Sequence, residues 1–150
     1  METKAKSVLI VTSPAFKDGE LMPKKYSAYG ENVNPPLNLE GVPQEAKSLA
    51  ITVTDLDVPL ITMTHWLMWN IPPANSIEEN SALGVQGKNS MRRNVYAGPR
   101  PPFGKHRYLF KVYALDVMLE LDSNAGRKDF EKAIVNHVLA EGELTGIYHR

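Results

Sequence analysis

At 150 residues the chain is long enough for one domain with its own core and short for two, so residues 1–150 are expected to form a single domain. Seventeen basic side chains balance seventeen acidic ones, leaving no long-range field to gather nucleic acid or an anionic membrane surface. Cysteine is absent, which excludes disulfides, thiolate nucleophiles and cysteine-held metal clusters.

The N-terminal stretch has only four consecutive apolar residues, Val8 to Val11. That is too few for a signal-peptide core or a membrane span, and a cytoplasmic protein is expected. Ser7–Val11, Ser48–Asp55, His65–Ile71 and His106–Asp116 are short runs rich in β-branched and aromatic residues. Prolines stand in the turns between them. The pattern predicts a mostly β fold of antiparallel sheets, a sandwich or a barrel. Near the end, Phe130, Ile134 and Val138 recur every four residues, which predicts a C-terminal helix. Ser123 or Asn124 would cap its start and Gly142 would end it.

Alternation along the strands sorts the polar candidates. Leu49, Ile51 and Val53 share a face that Asp55 continues. His65 falls on the face of Leu67, Trp69 and Ile71. His106 and Tyr108 share a face with Phe110, Val112 and Ala114, while Arg107 points the other way. Asp55, His65 and His106 all adjoin proline-rich loops, as residues of one rim would. Each has a plainer reading. A histidine on an apolar face is commonly a hydrogen-bonded core residue, and a tyrosine there is commonly packing. Asp55 and Asp57 suit an Asx turn. Arg107 suits a surface charge or an aspartate's partner.

The loop "GPRPPFGK" before His106 combines fixed φ angles with glycines, and Arg100 and Gly104 keep their N–H groups. Such a loop presents preorganised donors to an anion. Tight proline turns also make one of its X-Pro bonds a candidate for cis. No nucleophile elbow and no glycine-rich phosphate loop is present, so binding is favoured over turnover and no cofactor is expected. Two histidines and a carboxylate could also form a facial triad for iron, or an acid–base pair for hydrolysis, and these are the competing enzyme classes.

Taken together, "DLDVP", "THWLMWNIP" and "YAGPRPPFGKHRYLFKVYALD" resemble the two signature segments of the phosphatidylethanolamine-binding protein family. "YGENVNPPLNLEGVPQEAKSLAITVTD" resembles the family's segment ahead of them. "NHVLAEGELTGIYHR" looks like the closing helix and tail of its compact prokaryotic branch. The resemblance runs from about residue 20 to the C-terminus. It implies a Greek-key β-sandwich with a small anion-binding cavity and no catalytic or metal-ligating residues. The cavity residues would be Asp55, His65, His106 and Tyr108, with Gly98, Pro99, Arg100 and Pro101 as the loop wall and Asp57 and Arg107 as buttresses. The implied ligands are phosphate, phosphorylated headgroups or small carboxylates, and the implied partner proteins are kinases or serine proteases. A homodimer is compatible with it. Leu56 stands where the family usually has proline, Arg100 where it has a small residue, and Leu39 where tryptophan is common.

Overall fold

The computed structural model describes residues 7–150. Among the described residues ten strands and one short α-helix follow in chain order. They are β1 (Ser7–Val8), β2 (Ile10–Thr12), β3 (Glu20–Leu21), β4 (Leu37–Glu40), β5 (Ser48–Asp55), β6 (Met63–Ile71), β7 (Ser76–Ile77), β8 (Val85–Gln86), β9 (Lys105–Leu115), α1 (Arg127–Ala133) and β10 (Val138–His149). A 3-10 turn at Lys24–Tyr26 lies between β3 and β4.

Two sheets face each other. The larger runs β1-β10-β9-β5-β6-β8, with β3 also on β10, and the smaller runs β2-β4-β7. The hairpins β5–β6 and β9–β10 are joined out of order, because β9 returns beside β5 rather than β6. That non-consecutive pairing is the Greek-key feature implied by the resemblance. The sheets are not wholly antiparallel as expected: β1 and β3 both pair with β10 in parallel. The run Ser7–Val11 is also not one strand. Leu9 donates its N–H to the Glu141 carbonyl at 2.9 Å, after which Ile10 pairs with Glu40 in the other sheet.

The large sheet is covered on both faces, which explains why β5 is buried along almost its whole length rather than on alternate residues. Leu49, Ile51, Val53, Trp66, Met68, Phe110 and Val112 meet the small sheet in the main core. Ala50, Leu67, Trp69, Tyr113 and Leu115 face the other way, toward Phe130 and Ile134 of the helical segment.

The expected long helix is a correction. It starts at Gly126, whose N–H is accepted by the Asp129 carboxylate at 3.2 Å, and not at Ser123 or Asn124. It ends at Ala133, and Asn136 adopts a left-handed φ of 68° that turns the chain back. Val138 then opens the twelve-residue strand β10. The inward positions of that strand include Ala140, Gly142, Leu144 and Gly146. Two of them are glycines, so the two-residue alternation was invisible in hydrophobicity. Gly142 does not end a helix; a Cβ there would overlap the Leu9 carbonyl oxygen.

Candidate functional site

β9, β5 and β6 lie side by side, so the end of β5, the start of β6 and the start of β9 form one rim. Asp55 pairs with Tyr108 on one side and Met63 on the other. His65 reaches this rim through a β-bulge. Val53 pairs with Trp66 but Thr54 with Thr64, which leaves His65 as the extra residue. The bulge overturns the simple alternation. Leu67 and Trp69 face the second core, whereas the His65 ring meets Tyr108 edge to face at 5.3 Å. Ile71 rejoins the main core beyond a second irregularity, where Asn70 is left-handed at φ 57°.

Asp55, His65, His106 and Tyr108 line a cavity of about 340 Å³. His106 donates from Nδ1 to Asp55 Oδ2 at 2.7 Å, and the other Asp55 oxygen accepts the Asp57 N–H at 2.8 Å. The Asx turn and the site are therefore one arrangement. His65 donates from Nδ1 to the Ala97 carbonyl at 2.7 Å, since a carbonyl can only accept. With both Nδ1 atoms engaged, the Nε2 atoms of the two rings are the ones left for a ligand. Burial holds the His65 ring below the usual imidazole range; the Ala97 carbonyl and the Asp55 carboxylate oppose that shift. Burial, with the neighbouring Asp55 carboxylate, pushes the Tyr108 hydroxyl up, so it stays a donor at any ordinary pH.

Asp57 and Arg107 stand outside the cavity and clamp it. Arg107 Nη2 and Nε reach the two carboxylate oxygens at 2.8 and 3.1 Å, and the Arg107 backbone N–H adds a 2.7 Å bond. This fork holds the Asp57 carboxyl down at about 2. It fastens the turn after β5 to the start of β9, which leaves no evident need for the missing proline at Leu56.

The proline loop forms one wall through Gly98, Arg100, Pro101 and Pro102. Pro99 does not line the cavity; it is buried and its carbonyl accepts the Ala28 N–H at 2.9 Å. Gly98 serves a close approach, although not to a ligand. Its N–H is taken by Asn32 Oδ1 at 2.7 Å, and a Cβ would overlap the Tyr26 carbonyl. Every described peptide bond is trans, so the cis X-Pro candidate is not realised. Tyr29 braces the wall from outside by donating to the Pro101 carbonyl at 3.0 Å, and the Arg150 N–H holds the Gly104 carbonyl at 3.0 Å.

Sequence reasoning missed Ala28, Asn32, Val58, Met63, Met91, Arg93 and Ala97, all of which line the cavity. Most come from segments with no strand pattern to orient them. Arg93 adds a second exposed guanidinium to that of Arg100. No Ser, Thr, Lys or Cys lines the cavity. Among the described residues no three His, Cys, Asp or Glu side chains are grouped to hold a metal, so the facial-triad geometry is not formed. A shallower groove of about 730 Å³ runs along Gly19–Met22 and Ile147–His149, away from these residues.

Fold and cavity define a β-sandwich with a largely apolar recess, holding a few polar groups, at one end of its larger sheet. The family model described as phosphatidylethanolamine-binding protein matches residues 12–149, and the chain belongs to that family. A UPF0098 protein of Pyrococcus abyssi is 44% identical, covering 95% of this chain and 86% of its own length. One from Methanothermobacter thermautotrophicus is also 44% identical, covering 91% of this chain and 95% of its own. The crystal structure of a putative phosphatidylethanolamine-binding protein homologue from Chlamydia trachomatis superposes with a TM-score of 0.90 at 38% identity, covering 97% of this chain and 99% of that one. Escherichia coli YbcL, described as a new member of the mammalian family, gives 0.87 at 29% identity over 96% and 99%. Membership supports a binding-protein role. Among the described residues no helix is long and apolar enough to cross a membrane.

Proposed function

We propose that this chain is a non-enzymatic binding protein whose cavity holds phosphate or a small phosphorylated headgroup, with occupancy regulating a partner protein. The observation that carries the reading is the pair of histidines on one cavity, each with Nδ1 already engaged and Nε2 left over, beside the buried Tyr108 hydroxyl and two guanidiniums at the mouth. Donors and cations so arranged suit an oxyanion. The lack of a serine, threonine, lysine or cysteine in the lining supports binding rather than turnover.

A titration of the His65 and His106 ring NMR signals with phosphorylethanolamine at fixed pH tests this. Saturable shifts of both rings are expected, lost in His65→Ala and His106→Ala. Still rings would remove the cavity from the function. Because neutral His65 can only accept at Nε2, binding of a fully ionised oxyanion draws a proton onto it. Affinity for sulfate, whose charge is constant in this range, should therefore be greater at pH 6 than at pH 8; equal affinities would count against the reading.

A second reading rests on a different observation. Leu60, Ile61 and Phe103 are exposed on the turn after β5 and the loop before β9, at the cavity end of the sheet. That surface favours inhibition of a serine protease or a kinase through the loops. Complex formation unchanged in His65→Ala and His106→Ala would select it.

A further inference from the structure

The histidine cavity is larger than a phosphate, and much of its lining has no polar group to offer one. Its volume of about 340 Å³ is at the lower end of the range for small-molecule pockets. At about 30 Å³ for each water-sized group, that is room for roughly eleven non-hydrogen atoms, of which a phosphate ester group supplies five. Val58, Met63, Met91, Pro101 and Pro102 line the cavity together with the polar floor. Met63 opens β6 as the ladder partner of Asp55, and Val58 lies on the turn just beyond that aspartate, so both border the floor. Whatever is attached to the oxyanion therefore meets carbon and sulfur.

The remaining polar groups do not suit a ligand that also carries a cation. Among the described residues Asp55 is the only carboxylate in the lining. Its two oxygens already accept from His106 Nδ1 at 2.7 Å and from the Asp57 N–H at 2.8 Å. Asn32 Oδ1 accepts the Gly98 N–H at 2.7 Å, and the Ala97 carbonyl accepts from His65 Nδ1 at 2.7 Å. Arg93 and Arg100 also line the cavity, and neither forms an ion pair among the described residues. The two Nε2 atoms are taken by the oxyanion, and an imidazolium has no acceptor left. An ammonium drawn into this space would lose its water, face two guanidiniums and find no unengaged carboxylate.

We propose that the ligand of this cavity is a phosphate ester whose substituent is uncharged and apolar, seated on Val58, Met63 and Met91, and that an amino-bearing headgroup is disfavoured there. The inference rests on the oxyanion reading of the site and narrows it. Two of the three seating side chains are methionines, whose unbranched thioethers repack around differing shapes. The substituent is then selected by apolarity and size rather than by directed hydrogen bonds.

Propyl phosphate and phosphorylethanolamine form a matched pair, because one ends in a methyl where the other ends in an ammonium. Each is titrated beside inorganic phosphate at about pH 7.5, where the phosphoryl groups are mainly dianionic. Propyl phosphate should bind about tenfold more tightly than either of the other two, since each seated methylene is worth about fourfold. The methyl NMR signals of Met63 and Met91 should shift with propyl phosphate and stay still with inorganic phosphate. Met91 is 43% exposed, so Met91→Gln keeps the fold. That variant should bind propyl phosphate about threefold more weakly and inorganic phosphate as the parent does. Phosphorylethanolamine binding as tightly as propyl phosphate, or still methionine methyls, would overturn the inference and leave the oxyanion site standing. Failure of all three ligands to move the His65 and His106 rings would instead overturn the site itself.

Discussion

His65 carries the most consequential single-residue prediction. Burial lowers its folded-state pKa, so below about pH 6.5 the unfolded chain binds the extra proton and the folded one resists it. Stability is then full above that pH and declines as pH falls, by at most about 1.4 kcal/mol per pH unit for one proton. Thermal unfolding between pH 7 and pH 5 should show this decline. Sulfate should lessen it, since a bound anion favours the imidazolium, and His65→Gln should flatten it. Asp57 gives the complementary case. Its pKa is about 2 in the fold against 3.8 for a free aspartate side chain, so its contribution is present above 3.8 and lost as pH falls through about 2. Urea unfolding should find Arg107→Ala less stable than the parent by a constant gap above pH 4 that closes toward pH 2.

At the scale of elements, the glycines of β10 decide the packing. A methyl added at Gly142 runs into the Leu9 backbone, so Gly142→Ala should cost about 1–3 kcal/mol by chemical denaturation. Gly98→Ala pushes the loop off Tyr26 and Asn32, and should weaken phosphorylethanolamine binding about tenfold through the displaced wall, a loss of preorganisation rather than of a contact. The same elements mark what could be read beforehand. The strands β5, β6 and β9 were legible because their apolar runs are long. Asp55, His106 and Tyr108 were legible because strand ends beside proline loops share a rim. The bulge at His65 was not, since an extra residue in a ladder leaves no mark on composition, and parity put that ring on the wrong face. Strand β10 was hidden by its inward glycines and by the accidental four-residue spacing of Phe130, Ile134 and Val138. All three pack on the second core, the last of them from a strand. Asn32, Arg93 and Ala97 sit in segments whose position is set wholly by tertiary contacts.

For the whole molecule, β10 is the strand on which the sheet depends. It pairs with β9 along its full length and, among the described residues, is the only partner of β1 and β3 in the large sheet. A chain cut after His137 would leave β9 with a bare edge, and should show neither a cooperative unfolding transition nor dispersed amide signals. Such an architecture, with Ser7 aligned to Ala140, has long loops to close and is expected to fold in milliseconds to seconds.

The placement of β10 also sets an order of events during translation. While the ribosome is still adding residues 138–149, β1 and β3 have left the exit site without their template, and the Arg150 clasp on the Gly104 loop has yet to be made. The nascent chain therefore carries unpaired strand edges through most of its synthesis, exposed to chaperones and proteases. The pairing of β1 and β3 and the Arg150 bond to the Gly104 loop come late, after the β9-β5-β6 part of the sheet has been synthesised.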